Sequence, residues 1–427
     1  MTAQIAILNK SAVALAADSA VTLQVGAGQK IYNTVNKLFT LSKYQPVGIM
    51  VYGNSEFMGV PWESIIKQHR RDLGSTEHGT LRQYADGFLT WLSTAELVLP
   101  TALQNQILEF IIHDYLRQLR SQIEQQVSVE LTTGKSVQAD RVAQIVKEII
   151  GVQQKQRLSA SRLATIRPDF EDRFVSNHSA RIDAARRAIF QHLPLDESDA
   201  AALPRIIASS FCRDFFGPGA SGVVIAGFGR DEVFPSLVHF TLETLIDGAL
   251  KWKELKTYTI DPIKNFATIV PFAQREMVDT FLSGIDPMYK ATVLQALEKV
   301  LRSSANQIFE LLPDTVPHKA ELNKNLTDNI PELILAFNAQ LDGYSRHRHI
   351  DPIINAVAAL PKDELAAMAE SLVNLTSFKR RISTDAETVG GEIDVAVISK
   401  GDGFIWIKRK HYFDAGKNPH FVANYYR

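Results

Sequence analysis

The sequence predicts an α+β protein in which strand-forming segments near the start, middle and end of the chain are separated by long helical stretches. Two observations carry this. Short apolar runs closed by Gly, Asp or a turn recur at Ile5 to Leu8, Val13 to Ala17, Pro46 to Gly53, Val224 to Phe228 and Asp394 to Ile398, the pattern of buried strands. Between them apolar residues repeat at helical spacing: Leu103, Ile107, Phe110, Ile111, Tyr115, Leu119 and Ile123 make one stripe, and Val142, Ile145, Val146, Ile149 and Ile150 another.

Taken in order, the first two runs form a hairpin around Asn9-Lys10-Ser11, which returns Asp18 to the side of the chain start. There stands Met1-Thr2. An initiator Met is removed when the next side chain is small, so the mature chain is expected to begin with Thr2, carrying a hydroxyl nucleophile and a free α-amine on one residue. An α-amine titrates near pH ~8, so part of it is free near neutrality to accept the hydroxyl proton. A Thr at the second position is by itself only a small residue; the hairpin behind it is what adds weight. Next come Thr34 to Phe39, the strand ending at Gly53, and a helical stretch from Ser55 to Leu73. Residues 76–214 read as a helical insertion between a core formed by residues 1–75 and 215–427, with a second helical addition over roughly 290–360. Lys362 to Phe378 reads as a core helix with the stripe Leu365, Met368, Leu372 and Leu375. Phe404 to Lys410 reads as a strand with one packed face, and Tyr425-Tyr426 as a docking tail.

Composition narrows the function classes. Of 427 residues, 45% are hydrophobic and 22% charged, and 46 Lys+Arg against 47 Asp+Glu leave a net charge of −1. Such a chain has no global field to attract nucleic acid or an anionic membrane. The single cysteine, Cys212, excludes an internal disulfide and suits a reducing cytoplasm. Lys10 interrupts the first apolar run and no base precedes it, which argues against a signal peptide. No stretch approaches the ~18 apolar residues of a membrane span. Gly227-Phe228-Gly229 lacks the third glycine of a dinucleotide loop, and Gly26-Ala27-Gly28-Gln29-Lys30 is too short for a P-loop. Arg346-His347-Arg348-His349 lacks a nearby Cys or carboxylate and reads as an exposed polar loop, so no metal or cofactor is expected.

The order of these segments resembles the proteasome β-subunit family of N-terminal nucleophile hydrolases, in particular the bacterial members that expose Thr by Met removal. Thr2 falls on the family's nucleophile, Asp18-Ser19 on its Asp-Ser, Lys37 on the lysine beside the nucleophile and Gly53 on the oxyanion-hole glycine. Thr22 falls on the Thr whose backbone pairs with extended substrate, and Val21, Val35 and Val51 on the first side-chain pocket, which suggests an apolar or small residue before the cleaved bond. Val224 to Phe228 with Pro235 to Val238 matches the central hairpin, Ser283-Gly284 the Ser-Gly before a long helix, and Gly390-Gly391 with Asp394 to Ile398 the closing strand. The resemblance covers about the first seventy and the last two hundred residues.

It implies a four-layer αββα sandwich of two antiparallel sheets with a large helical insertion. It also implies a threonine peptidase without cofactor, acting on peptide or unfolded protein in the cytoplasm, self-associated and served by a separate ATPase unfoldase. Lys37 would lower the pKa of the α-amine and favour developing alkoxide, Asp18 would orient Lys37, the Gly53 N–H would hold the oxyanion and Ser283 would bond the amine. The residues taken singly have plainer readings: a buried ion pair for Asp18 and Lys37, a turn at Gly53 and a helix N-cap at Ser283. Two departures stand out. The loop from Asp18 to Lys37 is longer than usual, and strict alignment puts Ala386 and Val389 where the family holds the amine with an Asp and a Ser, so that Asp385 or Glu387 serves only after a one-residue shift. A non-catalytic scaffold on the same fold and an amidase acting on a small amide are the competing readings.

Overall fold

The computed structural model describes residues 2–25, 28–134, 138–313, 316–382, 389–411, 413–420 and 423. Gly26, Asp385, Glu387 and the Tyr425-Tyr426 tail lie outside the described residues.

The strands are β1 (Ala3–Asn9), β2 (Ala12–Ala17), β3 (Val21–Val25), β4 (Gly28–Tyr32), β5 (Leu38–Thr40), β6 (Val47–Gly53), β7 (Glu56–Phe57), β8 (Val60–Pro61), β9 (Ser221–Gly227), β10 (Ser236–Ile246), β11 (Ala249–Thr259), β12 (Ala267–Ala273), β13 (Asp394–Ser399) and β14 (Gly403–Lys408). The helices are α1 (Trp62–Leu73), α2 (Leu81–Thr94), α3 (Thr101–Thr132), α4 (Ala139–Ser159), α5 (Phe170–Phe190), α6 (Glu197–Cys212), α7 (Glu276–Ser283), α8 (Pro287–Leu311), α9 (Lys319–Asp328), α10 (Ile330–Ser345), α11 (Asp351–Ala359) and α12 (Lys362–Ile382). The protein is thus mixed α+β with two antiparallel five-stranded sheets. No described helix is long and apolar enough to cross a membrane.

The chain divides into two compact units, Met1–Leu38 with Val233–Pro235 and Thr259–Arg427, and Phe39–Glu232 with Ser236–Tyr258. The division differs from the expected core plus separate insertion. Helices α2 to α6 lie within residues 76–214, but they share one apolar core with β6, β9 and β10: Phe88, Ile112, Phe174 and Ile207 belong to the same buried cluster as Ile49, Ile225 and Phe240. The apolar face of a sheet must be buried against another layer, and here those helices supply one for the sheet ordered β11-β10-β9-β6-β5.

In the first unit the sheet order is β12-β1-β2-β13-β14. Both β1 and β2 are buried along their whole length, which explains why they read as continuous apolar runs without alternation. Asn9 shapes the turn between them, its side-chain oxygen accepting from the Ser11 and Ala12 N–H groups at 2.9 and 3.2 Å. Ala3, Ile5, Ile7, Ala12, Ala14 and Ala16 pack with Leu365, Ala366, Ala369, Leu372 and Val373 of α12. The buried face of α12 is therefore turned slightly from the expected Leu365, Met368, Leu372, Leu375 stripe. Alanines on both surfaces allow the helix to approach the sheet closely, leaving Met368 and Leu375 at its flanks.

Other details depart from the sequence reading. Helix α3 buries Leu108, Ile112, Tyr115, Leu116, Leu119 and Ile123, and Leu103, Ile107 and Ile111 pack against the same core from its edge, so over its first half the stripe is centred one residue later than expected, and Phe110 is 63% exposed. The helix after Gly53 starts only at Trp62, because Met58 and Gly59 adopt φ of 54° and 78° and reverse the chain between β7 and β8. Strand β12 was not foreseen; Pro271 lies within it opposite Ile5, and an edge strand is where a proline costs no ladder hydrogen bond. Arg346 to Ile350 is a π-helical turn continuing α10 into α11 where a loop was expected.

Candidate active site

The expected nucleophile sits where the first hairpin closes. Because β1 pairs with β2 in the register Gln4 to Ala17, Asp18 falls beside Ala3, and their backbones join through Asp18 N–H to Ala3 O at 3.1 Å. The Ala3 N–H in turn donates to Asp18 Oδ1 at 3.1 Å. Thr2 precedes the strand, and its carbonyl accepts from the Gln274 N–H just past β12 at 3.2 Å. The Thr2 side chain is therefore presented by a backbone tied on both sides.

Three side chains meet there. The Thr2 hydroxyl donates to Asp18 Oδ1. Lys37 Nζ donates to Thr2 Oγ1, to Asp18 Oδ1 at 2.7 Å and to the Ala20 carbonyl, which uses all three ammonium protons. Thr2, Asp18 and Lys37 are 4%, 0% and 7% exposed. Burial pushes the Lys37 amine below its ordinary pKa, while the Asp18 carboxylate opposes that by attraction and hydrogen bonding. The cluster is a buried, fully donated ammonium held against a hydroxyl oxygen.

The far end of the chain completes the support. Gly390 N–H donates to Asp18 Oδ2 at 3.2 Å, and the Gly390 carbonyl accepts from the Ser19 N–H at 3.1 Å. The Ser19 hydroxyl donates to the Glu392 carbonyl. The Ser19 carbonyl accepts from the Val35 N–H at 3.2 Å, anchoring the approach to Lys37. Lys30, the other lysine of that loop, is exposed and lies 5.2 Å over the Tyr32 ring.

Thr22 lies on β3, which pairs with β4 in the register Thr22 to Ile31; the two form a sheet of their own, so the other edge of β3 pairs with no described strand. Val21 and Val35 are half-buried. Ser283 is the last residue of α7, not the first of a helix: its hydroxyl donates to the Asp279 carbonyl at 2.7 Å and bonds Ile285 O at 2.8 Å, while Asp286 caps α8. The described hydrogen bonds of Ser283 thus stay within its own turn. Gly53 and Val51 belong to the second unit. Gly53 has φ of 85°, and a Cβ there would come within 2.8 Å of the Ala220 carbonyl. Among the described residues no group of three His, Cys, Asp or Glu side chains is placed to hold a metal ion.

One pair escaped the sequence reading. Asp394, at the head of β13 and 2% exposed, takes both the backbone N–H of Lys410 at 2.9 Å and the Lys410 ammonium. The available signal was an acidic residue opening an otherwise apolar strand whose hairpin partner ends at Lys408 and is followed by Arg409-Lys410.

No family model matches the chain, and no curated protein matches it.

Proposed function

We propose that this chain is a threonine-type peptidase of the proteasome-like N-terminal nucleophile class, in which Thr2 becomes the first residue on removal of Met1. The observation that carries the reading is the contact of Lys37 Nζ with Thr2 Oγ1 inside a buried cluster closed by Asp18. A buried ammonium donating to a hydroxyl oxygen stabilises that oxygen as it becomes anionic, and it disfavours a proton on the neighbouring α-amine.

In this reading Thr2 Oγ attacks the carbonyl carbon of a peptide bond. The α-amine takes the hydroxyl proton through a water and returns it to the leaving amine, so a Thr2 ester forms as the C–N bond breaks. Water then hydrolyses the ester and regenerates the hydroxyl. The edge of β3 at Thr22 that pairs with no described strand supports the same reading, because an extended peptide can add there as a strand. The αββα sandwich, the self-association, the unfolded-protein substrate, the separate unfoldase and the cytoplasmic location are its further parts.

The test is the intact mass of the purified protein before and after a peptidic β-lactone, for wild type and Thr2→Ala. Loss of Met1 and one adduct absent from the variant is the expected result. Retained Met1, or an adduct that survives Thr2→Ala, would remove Thr2 as nucleophile. Loss of Met1 with no adduct across a panel of lactones would favour a non-catalytic protein on this fold.

A further inference from the structure

Helices α3 and α4 line a cavity of about 220 Å³ within the second unit. Four amide side chains face it, Gln118 and Gln122 from α3 and Gln153 and Gln156 from α4. Its charged member is Arg157, half-buried in the last turn of α4. Three neighbours fix the guanidinium: Cζ lies 4.8 Å from the Tyr115 ring centroid and 5.0 Å from that of Phe215, and Nη1 donates to Ser210 Oγ. That bond uses one of the five N–H donors of an arginine, and no described carboxylate forms an ion pair with Arg157. Lys251, which donates to the carbonyl of the same Ser210 at 2.6 Å, is by contrast neutralised by Glu243. A second orphan stands in the same wall. Tyr115 is 9% exposed, and its buried hydroxyl has no hydrogen-bond partner among the described residues, a state that folded proteins rarely leave without a reason.

We propose that this cavity binds a small polar carboxylate, whose charged group pairs with Arg157 and whose hydroxyl or amide groups bond the surrounding glutamines. The donors set the chemistry. A guanidinium with most of its donors unspent matches the two oxygens of a carboxylate in one plane, and among the described residues no acidic side chain lines the cavity to repel an anion. One cation suits one negative charge. A phosphate dianion collects several cations or the backbone N–H groups at a helix start, whereas these residues come from the middle of α3 and the last two turns of α4, where the N–H groups are spent within the helix. The amides select further. Gln153 donates to Gln122 Oε1 at 3.4 Å, and the Gln156 amide has no described partner, so a ligand with donors and acceptors beside its carboxylate is favoured over a plain aliphatic acid. The volume lies below the roughly 300 Å³ at which drug-sized ligands begin, which fits a free hydroxy acid or the C-terminal residue of a peptide. The inference does not rest on the peptidase reading, since none of these residues belongs to the Thr2 cluster.

The test is ligand-observed NMR and calorimetric titration of the full chain with L-malate as the free acid and N-acetyl-L-glutamine as the mimic of a peptide end, against inorganic phosphate and the neutral N-acetyl-L-glutamine amide. At least one of the two acids should saturate with a Kd below about 10 mM, with phosphate and the neutral amide at least about tenfold weaker. Preference for malate would assign the site to a free acid, and preference for N-acetyl-L-glutamine to a peptide terminus; either supports the proposal. Arg157→Met should weaken binding by about tenfold or more. Gln156→Glu, at an exposed position, should do the same by setting a competing carboxylate in the cavity with Arg157, and it decides the matter if Arg157→Met does not fold. No saturable binding of either acid up to about 50 mM, binding undiminished in Gln156→Glu, or phosphate bound as tightly as the acids would overturn the proposal.

Discussion

Gly390 donates its N–H to Asp18 Oδ2 across 372 positions of sequence, so the segment that leads into β13 helps to hold the carboxylate set by the first hairpin. The neighbouring Gly391 makes that crossing possible. Its φ is 76°, and a Cβ there would lie 2.8 Å from the Asn33 carbonyl and 3.2 Å from Ser19 Cβ. Gly391→Ala should therefore destabilise the protein by about 1–3 kcal/mol, measured by urea unfolding, and should reduce turnover in the fraction that folds. A variant as stable as wild type would show that this backbone can relax without consequence.

Lys37 and Lys30 should separate sharply. Lys37→Ala leaves Asp18 buried without its cation, a change that costs about 3–5 kcal/mol, and it removes the donor to Thr2 Oγ1. Turnover should fall by at least about a hundredfold. Lys30 is exposed, so Lys30→Ala should stay within about 0.5 kcal/mol of wild type with turnover unchanged. The reverse pattern in paired unfolding and activity measurements would reassign the lysine.

These two lysines also mark how far the sequence can be read. The meeting of Thr2 and Asp18 was legible because it follows from one tight hairpin, where strand register depends on a few turn residues. That Lys37 joins them was legible only through the resemblance, since β3 and β4 take up a loop of unusual length before it. Helix α3 was legible as a helix, but its core stripe was misplaced by a residue over the first half because Phe110 is exposed while Leu108 and Ile112 face the core. Tertiary packing decides such choices between adjacent apolar residues. The Asp394 and Lys410 pair needs the register of β13 on β14 before either partner can be assigned, and neither residue has a distinctive motif. The division into two units escaped because a helical run between strand segments gives no sign of which sheet it covers.

Blocking the amine of Thr2 is the most direct challenge to the proposed base. A residue placed before Thr2 that aminopeptidases cannot remove turns the amine into an amide, leaving the hydroxyl, Lys37 and Asp18 in the chain. Turnover should drop at least about a thousandfold, with near-ultraviolet dichroism unchanged. Full activity in the blocked protein, confirmed by intact mass, would rule out the α-amine as base.

His69 of α1 supplies a pH prediction away from the site. It is 4% exposed and stacks edge-on with Phe88 and Trp91 at centroid distances of 5.0 Å, and burial lowers its pKa to about 4 from the ordinary 6.5. Between those values the unfolded chain binds a proton that the folded chain refuses, so stability falls as pH drops through the window. The loss should reach about 3 kcal/mol near pH 4. Urea unfolding of His69→Phe, compared with wild type from pH 7 to pH 4, should show a difference that shrinks or reverses in favour of the variant by about that amount. Parallel curves would mean that His69 is protonated in the folded state.

Cys212 offers a probe of opening in the second unit. The thiol is fully buried at the end of α6, donates to Glu171 Oε1 at 3.4 Å and to the Ala208 carbonyl at 3.4 Å, and is pushed up to about 12 mainly by burial, with the Glu171 carboxylate adding to the shift. Only a thiolate attacks a disulfide reagent, so the native thiol is both inaccessible and in the wrong ionisation state. Labelling by an aromatic disulfide at pH 8 should therefore proceed only through opened molecules. Its rate should rise with urea in step with the unfolding equilibrium when reclosing outpaces reaction. Prompt stoichiometric labelling without denaturant would show instead that the α6 end opens independently of the core formed by Phe174, Ile207 and Phe211, which share its buried cluster.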